Sequence, residues 1–202
     1  MNPQDIPNYD EDAVKPMREE LTAVGFAEMR SAEAVDQAFA KPGTAVVIIN
    51  SVCGCAAGGA RPGVTMALQH TKIPDQLLTS FAGQDKSAVN RIRAHLKDFP
   101  PSSPFIAVLK DGKPVKVMQR TDIEGKDAGR VAAELTAAFD AHCARSGPSI
   151  TPEEFAKLKG VKACGSSIPP STVKIQGMAS HNSPGGAGQA GNDPNKPWWK
   201  KW

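Results

Sequence analysis

The chain has 202 residues, a formal net charge of +3, 40% apolar residues and 5% aromatic ones. That length suits one domain with an appendage or two small domains, and it can bury a core without disulfide or metal staples. No run of 18 or more apolar residues is present, which argues against a membrane-spanning helix; the polar, acidic first 20 residues lack the apolar stretch of a secretory signal, so a cytoplasmic protein is expected.

Residues 1–12 read as a loose leader. Pro16 suits the start of a helix, where its missing N–H would be unpaired anyway, and Met17, Leu21 and Val24 then repeat at helical spacing up to Gly25. Ser31 opens a second helix with Val35, Ala38 and Phe39 on one side, closed by Gly43. TAVVIIN at 44–50 is short, apolar and β-branched, the pattern of a central strand covered on both faces. The Gly-rich SVCGCAAGGARPG at 51–63 follows, and 64–71 reads as helix. QLLTSFA at 76–82 is a second apolar strand, and Ala88, Ile92 and Leu96 stripe a helix that ends before Pro100. PPSSP at 100–104 forces a break. Strands over 105–110 and 114–119 flank a hairpin turn at Asp111-Gly112-Lys113, and Val131, Leu135, Ala138 and Phe139 stripe a last helix ending near Cys143. The expected class is α/β: two N-terminal helices, then a β-α-β unit, a hairpin and a closing helix, giving a mixed four-stranded central sheet flanked by helices over 13–143.

Beyond residue 143 the composition changes. Residues 1–143 carry 16 Lys+Arg against 18 Asp+Glu, whereas 144–202 carry 8 against 3, and Gly and Pro supply 15 of those last 59 residues. That is the level of disordered sequence, so 144–202 is expected to be a basic, mostly disordered tail. One local structure is predicted in it: Thr151-Pro152-Glu153-Glu154 is a capping box opening a short helix over 151–159. The pI of about 8.7 describes neither part of the chain, so no specific nucleic-acid partner follows from it. Trp198, Trp199 and Trp202, interleaved with lysine, suit weak contact with an anionic surface or a protein groove.

Of the four cysteines, Cys53 and Cys55 stand directly after the buried strand and before the turn into a helix. Structural disulfides are unusual in a reducing compartment, so this spacing points to redox work or metal binding. A thiolate at a helix N-terminus is favoured by the dipole and the free amides, and Arg61 is a nearby positive charge that could tune it. Gly54, Gly58 and Gly59 are expected to leave backbone amides uncovered for a bulky partner. A Cys-Gly-Cys disulfide closes a small, strained ring, a poor structural bridge and a suitable transient one. Thiol–disulfide exchange is the function expected: Cys53, first after the strand, attacks a client disulfide, and Cys55 resolves the mixed disulfide or waits while a small thiol does so. A cis Ser103–Pro104 bond beside this turn would offer the Ser103 backbone to an extended client. A competing reading makes the pair half of a metal site in a binding module, with the tail as a recruitment or anchoring element; it needs two further ligands, and Cys143, Cys164, His70, His95, His142 and His181 show no tight ligand spacing, so no metal is expected.

The segments SVCGCAAGGARPGV (51–64), FAGQDK (81–86), PPSSP (100–104), IEG (123–125) and AAFDAHC (137–143) together resemble the bacilliredoxin family of thioredoxin-like proteins, over about residues 14–143. The resemblance implies a thioredoxin-like fold and removal of bacillithiol, or a similar small thiol, from S-thiolated protein cysteines. It implies no bound cofactor, the small thiol being a co-substrate, and as partners the client proteins and the small thiol with its reductase. It maps the attacking cysteine onto Cys53, its companion onto Cys55 and the cis proline onto Pro104, and it brings disulfide isomerase activity into view. The family's terminal-helix cysteine matches Cys143, without an assigned role, and the tail with Cys164 exceeds the usual family length.

Overall fold

The computed structural model describes residues 6–160 and residue 171. The expectation of disorder beyond 160, Cys164 and the tryptophan–lysine end lie outside the described residues. Among the described residues, seven α-helices and seven strands are formed in the order α1 (Glu11–Thr22), β1 (Ala27–Glu28), α2 (Ala32–Phe39), β2 (Thr44–Asn50), α3 (Arg61–Ala67), β3 (Lys72–Ile73), β4 (Gln76–Phe81), α4 (Lys86–His95), β5 (Phe105–Lys110), β6 (Lys113–Met118), α5 (Arg120–Ile123), α6 (Ala128–His142), β7 (Arg145–Ser146) and α7 (Pro152–Ala156).

The central sheet is mixed, in the order β1-β4-β2-β5-β6. Strand β2 runs parallel to β4 and antiparallel to β5, and β5 and β6 form the hairpin. The four expected strands are therefore present in a thioredoxin-like arrangement, with β1 added at the edge beside β4. Two residues are too few to carry a period-2 pattern, so nothing in the sequence announces β1. The hairpin turn is the two residues Asp111 (φ 50) and Gly112 (φ 74), whose paired positive φ values match the twist of the flanking strands. Pro114 sits in β6, on the edge of the sheet, where a missing ladder donor is tolerated.

All seven residues of β2 are buried because both faces are covered. Val46 and Ile48 join Ile106, Val108 and residues of α3 and α6 on one face. Ala45, Val47 and Ile49 join Phe105, Ala107, Leu109 and residues of α2 and α4 on the other. A smaller cluster of Val14, Met17, Val52 and Phe81 ties α1 to the end of β2 where the cysteines begin.

Three expectations are corrected. Helix α1 starts at Glu11 rather than at Pro16, because the Asp10 side chain caps it by accepting from the Ala13 amide, and Glu11 and Asp12 complement the N-terminal dipole. Pro16 is thus inside the helix. The leader is held from Asn8 onward: the Asn8 amide donates to the Gly83 carbonyl at 2.7 Å and the Tyr9 amide to the Gln84 side chain at 2.9 Å. The start of the basic segment folds back on the domain, since β7 pairs with β3 and Ile150 and Leu158 pack against the α3–α6 core. The predicted short helix is present as α7, with Thr151 and Glu154 forming its capping box.

Helix α3 lies close against α6 because Gly63 has no side chain. A Cβ there would come within 2.6 Å of Val131 and 3.1 Å of the Ala128 carbonyl. Substituting Gly63→Ala should destabilise the fold by about 1–3 kcal/mol, the usual range for overpacking. Urea denaturation checks this, and adding Val131→Ala should recover part of the loss.

Candidate active site

The chain leaves β2 at Asn50, turns through Ser51 and Val52, and becomes helical from Gly54. The Cys53 carbonyl accepts from the Ala56 and Ala57 amides, both at 3.1 Å, so Cys53 is the residue that opens the helical segment. Cys53 is half-buried and Gly54 is exposed, with open space where its side chain would be. Residues Ala56–Ala60 form a π-helical turn, closed by the Arg61 amide donating to the Ala56 carbonyl, before α3 begins.

The sulfur of Cys53 has the Ser51 hydroxyl and the Cys55 side chain as close polar partners. The Ser51 hydroxyl donates to Cys53 Sγ at 3.0 Å, and the Cys53 amide donates back to Ser51 Oγ at 3.3 Å. Cys55 lies about half a helical turn further on, also half-buried. Burial pushes its thiol above the ordinary value, with the neighbouring Cys53 and Glu124 adding to the effect and Arg120 opposing it. The two cysteines are thus in different surroundings. One is at the mouth of the helix with a hydroxyl on its sulfur, the other packs against the core and burial opposes its ionisation.

Ser103–Pro104 is a cis peptide bond. The β2–β5 register ends with Ile49 opposite Phe105, so Pro104 falls at the end of the sheet where Ser51 and Cys53 begin. The Ser102 hydroxyl accepts from the Arg120 amide at 2.8 Å and donates to the Pro104 carbonyl at 3.0 Å, linking this loop to α5. Among the described residues the half-buried Ser103 main chain has no hydrogen-bond partner.

The family model for disulphide isomerases matches residues 9–143. A bacilliredoxin of Cytophaga hutchinsonii is 51% identical over 132 residues, covering 65% of this chain and 98% of that protein. One of Salinibacter ruber is 48% identical over 143 residues, covering 69% and 83%. One of Bacillus cereus is 46% identical over 132 residues, covering 65% and 92%. The chain belongs to the bacilliredoxin family. Its role is accordingly of the thiol–disulfide oxidoreductase type.

Within this bacilliredoxin, two residues sit differently from expectation. Gly59 does not present an open amide: a Cβ there would stand 3.0 Å from Ile123 and 3.2 Å from the Lys126 carbonyl, so this glycine serves close packing. Gly58 has open space around it. Arg61, expected as a positive charge that could tune the thiolate directly, is fully buried, and its Nε pairs with Glu20 at 3.0 Å. Its Nη1 donates to the Ser51 carbonyl at 2.9 Å and to Asn50 Oδ1 at 3.3 Å. Sequence reasoning missed Ser51, whose only signal was its place two residues before Cys53.

Cys143 lies elsewhere. It is buried at the end of α6 and interacts with the Thr44 side chain, at the opposite end of β2 from Cys53. A seven-residue strand is about 20 Å long, far beyond disulfide reach. Burial raises the Cys143 thiol, with Thr44 opposing and Asp75 adding to the effect. Among the described residues no group of three or more His, Cys, Asp or Glu side chains is placed to hold a metal ion, and no helix is long and apolar enough to cross a membrane. His70 and His95 instead contact Asp140 and Asp36.

Cys143 should therefore resist alkylation in the native protein at about pH 8, below the free-thiol range, and react on unfolding. Peptide mass spectrometry after iodoacetamide with and without denaturant checks this; rapid native labelling would contradict its burial.

Proposed function

We propose that this bacilliredoxin reduces mixed disulfides between protein cysteines and a low-molecular-weight thiol of the bacillithiol kind. The observation that carries the reading is the difference between the cysteines: Cys53 at the helix mouth under a donating hydroxyl, Cys55 behind it with a raised thiol. A cysteine attacks as its thiolate, and the partner of a redox pair waits protonated until it is needed.

In the first step the Cys53 thiolate attacks the small-thiol sulfur of a protein–S–S–R disulfide. The protein sulfur leaves as thiolate and takes up a proton, and a Cys53–S–S–R bond forms. In the second step Cys55 loses its proton and attacks Cys53 Sγ. RS⁻ leaves, and the Cys53–Cys55 disulfide holds the oxidising equivalents. Two RSH molecules then return the pair to thiols and form RSSR, which a separate reductase consumes. No bound cofactor is required. The Ser103 backbone beside cis Pro104 and the open side of Gly54 give an extended client a place to lie. The same first attack on a protein–protein disulfide would give isomerase activity.

The test is intact mass after exposure to the oxidised forms of bacillithiol, glutathione and coenzyme A. Cys55→Ala should accumulate one thiol adduct on Cys53, whereas Cys53→Ala should accumulate none at Cys55. An adduct on Cys55 in the Cys53→Ala protein, at the wild-type rate, would reverse the assignment. Iodoacetamide at about pH 6–7, where an activated thiol outruns an ordinary one, should label Cys53 before Cys164.

A further inference from the structure

We infer that the Ser51 hydroxyl is a catalytic hydrogen-bond donor to the Cys53 sulfur, and that the Arg61–Glu20 pair is the buried device that aims it. This rests on the assignment of Cys53 as the attacking cysteine.

The geometry leaves the hydroxyl one direction. Ser51 is 6% exposed, so water does not compete freely for its proton. An oxygen lone pair receives the Cys53 amide at 3.3 Å, and the hydroxyl proton points at Sγ, 3.0 Å away. A donor on an ionised acceptor makes a stronger bond than one on the neutral group. The contact therefore favours the thiolate before attack, and again when Cys53 leaves as thiolate during release of a mixed disulfide.

The peptide groups around Ser51 are held on both sides. Its amide donates to Asn50 Oδ1 at 2.8 Å, and its carbonyl receives Arg61 Nη1 at 2.9 Å. Arg61 Nη1 also reaches Asn50 Oδ1, while Asn50 Nδ2 donates to the Met17 carbonyl at 3.0 Å. Glu20 on α1 takes Arg61 Nε at 3.0 Å. The guanidinium is therefore neutralised from behind and bonded to the strand end in front. It acts on the sulfur through the backbone of Ser51, with its fork geometry rather than its bare charge. Arg61 and Asn50 are positioning residues. The π-helical turn over Ala56–Ala60 ends in the Arg61 amide bond, so it helps set the angle at which the Arg61 side chain returns beneath the turn.

The experiment is the rate of Cys53 alkylation by iodoacetamide against pH, resolved by peptide mass spectrometry, on the full chain. Ser51→Ala should move the Cys53 profile up by about one pH unit, the equivalent of one charge-assisted hydrogen bond. Arg61→Lys keeps the charge and loses the fork, so it should move the profile in the same direction. Combining Ser51→Ala with Arg61→Lys should give no larger shift than Ser51→Ala alone, because both act through one hydroxyl. An unchanged Ser51→Ala profile would overturn the donor role. A wild-type profile for Arg61→Lys, or additive shifts in the double variant, would overturn the positioning role. Since Arg61 is buried, thermal melting accompanies each profile, and the Ser51→Ala arm stands alone if Arg61→Lys does not fold. If wild-type labelling falls first on Cys55, it is the assignment of Cys53 as attacker that fails, which is a different result from a Cys53 profile indifferent to Ser51.

Discussion

A buried guanidinium holds the junction on which the chemistry is mounted. Arg61 is fully buried, yet it binds the last residue of β2, the first residue of the turn and a carboxylate on α1. Removing one partner of such a buried pair typically costs about 3–5 kcal/mol, because the other is left charged and unpaired. Strand, turn and first helix are thereby fixed to one another where the backbone would otherwise be irregular. The cluster of Val14, Met17, Val52 and Phe81 supplies the apolar half of the same joint.

The helical layer around this joint depends on closeness that only glycine permits. Gly63 lets α3 lie against Val131 of α6, and Gly59 lets the preceding turn lie against Ile123 and the Lys126 carbonyl. The Cys53 turn is thus supported from below by the sheet and from the side by α5 and α6. Little of the segment between Cys55 and Arg61 is free to move away, although Gly54 and Gly58 remain open to a partner.

Two cysteines one glycine apart acquire unequal chemistry from this support. Cys53 stands where the helix begins and receives a hydroxyl donor, while Cys55 turns inward and burial works against its ionisation. Cys143 has the same residue type and none of the setting. It lies buried at the far end of β2 beside Thr44, so both distance and burial separate it from the exchange reaction.

The sequence by itself was sufficient for the parts of the protein that are local. TAVVIIN announced a doubly covered strand because seven consecutive buried positions leave no polar alternation. Asp111-Gly112 announced a turn because both positions need positive φ. The CGC pair after that strand, and Pro104 before the next, named the site through residue types whose chemistry is few-valued. Other features were legible only in three dimensions. Strand β1 and the β3–β7 ribbon are two residues per strand, and their stability comes from neighbours rather than from pattern. The docking of 145–158 was hidden by a basic, Gly/Pro-rich composition that averages over a few apolar anchors, Ile150 and Leu158 among them. Arg61 read as a positive charge near the cysteines that could tune them, because its spacing carries no sign of burial or of its partners. Its partners Glu20, Asn50 and Ser51 are 41, 11 and 10 residues away, and only the packed fold brings them to a single guanidinium. The sequence determined which sulfur chemistry is present; the tertiary structure decided which sulfur receives a hydroxyl donor and which has its ionisation opposed by its surroundings. Burial and hydrogen bonding at an atom depend on everything folded around it, and no window of neighbouring residues contains that information.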